Sequence, residues 1–129
     1  APTFAELVDH LVALLHGHQV IAYNADFDAG VFERELARLH ADAEQPWQIA
    51  GAWSRQIQWI DAMEPYSAYV GDYSSYHRDY RWQRLPGGNH DAVGDCFALL
   101  HVLQMMAAAT TAAADTPPQQ LELPMRDAS

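Results

Sequence analysis

The sequence predicts an α/β fold, helix-rich with few strands, and three observations carry that expectation. Apolar residues recur at helical spacing near the start of the chain, again from residue 27, and again from residue 93. Two short stretches, residues 19–23 and 55–63, have the β-branched, aromatic and alternating character of strands. Glycine and proline punctuate the connections between them.

The first helix is expected in "PTFAELVDHLVALLHGH", where Thr3 and Glu6 have the spacing of a capping box and Gly17 stands where a C-terminal cap belongs. Phe4, Leu7, Val8, Leu11, Leu14 and Leu15 form its apolar stripe. Gln19 to Tyr23 follows as a buried strand, and residues 27–40 as a helix with Phe27, Val31, Phe32, Leu36 and Leu39 on one face. "RQIQWIDAM" sets Ile57 and Trp59 against Gln56 and Gln58, which predicts a second strand ending near Asp61. A stretch dense in Tyr and Arg comes after Pro65, and "PGGNHD" is a turn. Phe97, Leu100, Leu103 and Met106 mark the last helix. Residues 1–114 are thus expected to form one domain and residues 115–129 a flexible tail, since "TPPQQLELPMRDAS" has little to bury.

Charge narrows the functional classes. Seventeen acids against seven bases, every base an arginine, give a formal charge of -10. Gripping nucleic acid by charge alone needs clustered Lys and Arg, so any such contact must be local or metal-assisted. Cys96 is the single cysteine, and no Cys/His array has zinc-site spacing, which suits a reducing, cytoplasmic setting. No stretch is expected to span a membrane and no signal core is evident. The chain opens on Ala1 rather than Met, so its true start is expected to have been processed, trimmed or left out.

Two clusters can do chemistry. In "VIAYNADFDAGVF", Asp26 reads as a capping residue and Asp28 falls in the first turn of a helix, at the end of a buried strand where a carboxylate can also hold a metal ion. In "HDAVGDCFALL", His90 lies in the turn and Asp95 five residues later in the starting helix. An imidazole can take a proton from water, and carboxylates suit magnesium or manganese.

The two clusters, in this order, resemble the second and third motifs of the DnaQ-like (DEDDh) 3'-5' exonucleases, the group that includes proofreading subunits of bacterial replicative polymerases. Asn-x-x-Phe-Asp stands as Asn24 to Asp28, and His-x-x-x-x-Asp as His90 to Asp95, within a likeness over about residues 2–107. The resemblance implies the C-terminal part of a ribonuclease-H-like exonuclease fold. It implies that Asp28 and Asp95 are metal carboxylates, that His90 is the general base, and that Asn24 and Phe27 shape the pocket for the terminal nucleotide, Phe27 reading equally as core. It also implies two Mg²⁺ or Mn²⁺ ions at the scissile phosphate and, as substrate, the 3' end of nucleic acid, single-stranded DNA above all, in replication or repair.

The family's first motif, Asp-x-Glu on a leading strand, has no counterpart here; Glu6 and Asp9 sit on a predicted helix. The resemblance therefore implies missing leading strands, an incomplete metal site, and an open sheet edge that the missing segment, a second copy of the chain or another subunit must cover. The alternative is a non-catalytic remnant that self-associates or binds a partner.

Three lesser signals remain. Tyr69, Tyr73, Tyr76, Tyr80 and Trp82 interleave with Arg78, Arg81 and Arg84, a composition that either stacks bases and holds phosphates or packs an aromatic loop on the core. His16 and His18 flank a glycine and lack a further metal ligand. "QLELPM" resembles the short peptide that docks bacterial replication proteins on the sliding clamp, with Gln120, Leu121, Leu123 and Met125 as anchors.

Overall fold

The computed structural model describes residues 1–115 of the chain, so the candidate clamp peptide at Gln120, Leu121, Leu123 and Met125 lies outside the described residues. The chain divides into two compact units, Ala1–Gln83 and Arg84–Ser129. The first contains helix α1 (Phe4–Leu15), strand β1 (Gln19–Ala22), helices α2 (Ala25–Leu39) and α3 (Pro46–Ser54), strand β2 (Gln58–Asp61), helix α4 (Met63–Val70) and the short strands β3 (Tyr73–Ser74) and β4 (Asp79–Tyr80). The described part of the second is built on helix α5 (Ala92–Asp115). The fold is mixed α/β, helix-rich and poor in strand, as expected.

Helix α1 starts where the capping box places it: the Glu6 amide donates to Thr3 Oγ1 (3.3 Å) and the Thr3 amide to Glu6 Oε2 (2.6 Å). It stops at Gly17, whose φ of +74° is a left-handed conformation that glycine adopts without a Cβ clash. The Gly17 amide donates to the Gln56 carbonyl (2.8 Å), tying the turn to the entry of β2.

Strands β1 and β2 pair in parallel, from Gln19 opposite Gln58 to Ala22 opposite Asp61. A parallel pair needs a long crossover, and α2 with α3 supplies it. The core forms where these helices meet: Leu36, 1 % exposed, packs with Ala37 and Ala50, and Phe4, Val8 and Trp53 close around them. The Phe32 ring stacks on Trp53, with centroids 5.6 Å apart.

Several expected core residues are exposed instead. Phe27, Val31 and Leu39 on α2, and Leu7 and Leu14 on α1, face solvent in substantial part. Position 27 precedes Leu36 by nine residues, which at 3.6 residues per turn sets the two side chains on opposite sides of the helix. The sequence pattern thus merges two faces, of which only the Phe32–Leu36 side is core. The Pro46–Ser54 helix and the Met63–Val70 helix were not expected from the sequence.

Among the described residues one helix segment, Ala92–Ala113, is long and apolar enough to cross a membrane, with a mean hydropathy of 1.5. The expectation that no stretch reaches that length is corrected, because alanines extend α5 well past the residues that set its periodicity. Core helices of water-soluble proteins meet the same criterion of length and composition.

Candidate functional site

The first candidate group grows from the end of β1. Asn24 turns the chain in a left-handed conformation (φ 65°, ψ 63°), which Asn tolerates better than most residues, and so starts α2 at Ala25, two residues earlier than expected. Its side chain makes no cap bond to the helix, so the amide remains available. The earlier start corrects the role of Asp26, which stands exposed inside the first turn rather than capping it.

The cap comes from Asp61, at the end of the neighbouring strand. Asp61 Oδ1 accepts from the Ala25 amide and Oδ2 from the Glu64 amide, both at 2.9 Å, so one carboxylate closes the starts of α2 and α4. Burial pushes the Asp61 carboxyl up, but the amides of Ala25, Glu64, Met63 and Asn24 outweigh it and hold the group below the usual carboxylate range. Sequence reasoning missed this residue. Half of its role was readable, since Asp61 with Glu64 three residues on has the spacing of a helix start; the half that reaches α2 crosses the sheet.

Asp28 lies one turn further along α2, half-buried, and burial pushes its carboxyl up. Among the described residues no donor is bonded to its side chain. Phe27 projects into solvent, 61 % exposed, which removes the reading of it as core and leaves a free ring beside Asn24 and Asp28 on the same turn. Tyr23, just before this turn, donates its hydroxyl to the Gln83 carbonyl and packs near Tyr66, with ring centroids 6.3 Å apart. Burial, with Tyr66 and Asp61 nearby, raises the Tyr23 hydroxyl above its ordinary pKa.

The second candidate group lies wholly in the second unit. His90 sits in a left-handed conformation (φ 65°) between Asn89, whose amide donates to Asp95 Oδ1 (3.0 Å), and Asp91, whose Oδ2 accepts from the Gly94 amide (2.9 Å) to cap α5. The Asp91 amide closes the turn on Asn89 Oδ1 (3.0 Å). A Cβ on Gly94 would stand 2.8 Å from Asn89 Oδ1, so a larger residue here would push the Asn89 side chain off the Asp91 amide. The structure therefore fastens the His90 turn to Asp95, while Asn24, Phe27 and Asp28 share the turn at the start of α2.

The remaining candidate pair has another use. His16 ends α1 with its ring edge-on to Trp53 (4.6 Å), and His18 Nδ1 lies 3.0 Å from the His16 carbonyl.

Comparison with known proteins returns no match: no family profile, no curated protein and no solved structure is detectably similar to this chain. Among the described residues no group of three or more His, Cys, Asp or Glu side chains is placed to hold a metal ion. Two carboxylates do not hold a metal pair, and neither Asp28 in the first unit nor Asp95 in the second makes such a site by itself.

Proposed function

We propose that this chain is part of a metal-dependent 3'-5' exonuclease-like domain of ribonuclease-H-like fold, catalytically incomplete by itself, that acts on the 3' end of nucleic acid, single-stranded DNA foremost, in replication or repair. One observation supports it above the rest: Asp28 is a half-buried, undonated carboxylate just past the carboxyl end of a parallel strand, where open α/β sheets place their ligands. A carboxylate raised by burial gains most from a cation, which suits a metal ligand better than a structural cap.

In this reading Asp28 and Asp95 supply two of the carboxylates for Mg²⁺ or Mn²⁺, and the remainder come from another segment or chain. The metal, when bound, would stabilise charge on the phosphate and the leaving 3' oxygen. His90 takes a proton from the attacking water through an imidazole nitrogen; its backbone is held in a left-handed turn that the Asn89 to Asp95 bond fastens to the start of α5. Asn24 and Phe27 hold the terminal nucleotide, Phe27 by stacking on its base. The setting is cytoplasmic, and the tail peptide from Gln120 to Met125 docks on a sliding clamp.

The test is release of mononucleotides from a 3'-labelled single-stranded oligonucleotide with Mn²⁺. Because the site is incomplete, release by the chain alone is expected to be very slow; release that Asp28→Ala and Asp95→Ala each abolish supports the reading and means that a second copy or a further acid completes the site. Release unchanged by both substitutions overturns it.

A second reading, from another class, is a non-catalytic remnant that self-associates or binds a partner. Ile21, an apolar residue of the two-stranded sheet left exposed, favours it. Sedimentation equilibrium separates the two: a mass of twice 14.4 kDa that Ile21→Lys returns to one chain supports self-association through the sheet.

A further inference from the structure

The segment after α4 is a hairpin whose pattern is turned inside out. In a strand pair lying on a core, large apolar side chains face inward and small polar ones outward. Here Ser74 is the buried residue, 3 % exposed, while Tyr73 and Tyr80 face solvent in large part, Tyr76 is 88 % exposed and Trp82 74 %. The alternative of an aromatic loop packing on the core is therefore excluded for Tyr76 and Trp82.

The hairpin is also held in place. Tyr73 and Tyr80 pair across the strands, edge to face at 5.5 Å. Ser74 Oγ accepts from the His77 amide (3.3 Å), which fixes the tip, and the Arg81 amide donates to the Asp72 carbonyl (2.8 Å). Downstream, the Gln83 amide donates to Ser67 Oγ (3.2 Å), and the Gln83 carbonyl accepts the Tyr23 hydroxyl. Rings displayed on a braced element lose little further freedom when something stacks on them.

Charge indicates what stacks. Asp72 is paired with Arg81 (2.7 Å), and the Asp79 carboxylate is turned back onto the Tyr80 amide (2.7 Å). Arg78, at the tip in a left-handed conformation, has no ion-pair partner among the described residues. A guanidinium without an ion-pair partner, two residues from the exposed Tyr76, offers an anion a local foothold against the acidity of the chain, and the exposed rings favour a ligand that is flat as well.

We propose that the β3–β4 hairpin is a contact surface for single-stranded nucleic acid, with Tyr76 and Trp82 stacking on bases and Arg78 pairing with a phosphate. The choice of nucleic acid among flat anionic ligands rests on the functional reading above. Binding needs no metal and no hydrolysis, so it can fail or succeed apart from catalysis.

The experiment is fluorescence anisotropy of a labelled oligothymidylate titrated with the full chain in EDTA, at low ionic strength. Tyr76→Ala and Trp82→Ala should each weaken binding about 5- to 100-fold, the range that loss of one stacked base gives. Arg78→Ala should lower the salt dependence by about one phosphate contact. Trp47→Ala, which removes another exposed ring, is the control and should bind as the parent does. All four substitutions are at exposed positions, and circular dichroism checks that the variants stay folded. No binding by the parent chain, or hairpin variants that bind as it does, overturns the proposal; the first outcome would leave the rings to a protein partner.

Discussion

Asp61 and Asp28 are carboxylates at the same end of the β1–β2 sheet, displaced in opposite directions. Asp61 is held below the usual range by helix-start amides, so its folded pKa lies under its unfolded one. Its stabilisation is present above the unfolded value and is lost as pH falls through the folded value. Asp61→Ala should therefore cost about 1–3 kcal/mol in urea unfolding at neutral pH, as expected for removing one residue that caps two helices. That deficit should shrink in acid; a deficit independent of pH would contradict the capping account. Asp28 carries the opposite sign, since burial raises it. Its contribution is full below the unfolded pKa and lost as pH rises through the folded one, so the ionised group weakens the fold at neutral pH. Asp28→Asn should raise Tm at neutral pH, and a lowered Tm would mean that Asp28 is a structural group. The positions of Asn24 and Asp28 at the start of α2, and of His90 and Asp95 around the start of α5, were legible in the sequence, whereas the burial that shifts Asp28 is a tertiary property without a local pattern. Asp61 was half legible, for a cap that crosses from one strand to the next helix leaves no local spacing to read.

Among the elements, α1, β1, α2, β2 and α5 could be anticipated because each has a periodic or alternating run of its own. Helix α3 has no such run: "PWQIAGAWS" places Gln48 and Gly51 among apolar residues, and it holds through tertiary packing of Ala50 and Trp53. Helix α4 was obscured by Pro65, which reads as a breaker but sits in the first turn, where a missing amide costs nothing. The packing between α2 and α3 carries the first unit, so Leu36→Ala should destabilise it by about 2–5 kcal/mol. Leu14→Ala, at an exposed position of α1, should cost far less, and denaturant melts of the two variants compare them directly. Equal losses would contradict the placement of the core.

At the scale of the whole molecule, acidity and aromatic display act together. A chain this acidic repels a polyanion over most of its surface, and contact with nucleic acid has to come through local devices. Under the proposed function two such devices serve, a hairpin of exposed rings with an arginine that has no ion-pair partner among the described residues, and carboxylates that would recruit a cation. The carboxylates are the central claim, and Mn²⁺ binding tests them most directly. Electron paramagnetic resonance of free Mn²⁺, titrated with the chain, should show weak binding that Asp28→Asn and Asp95→Asn each diminish. Binding that both variants retain in full, or no binding by the parent chain, would contradict a metal site at these residues.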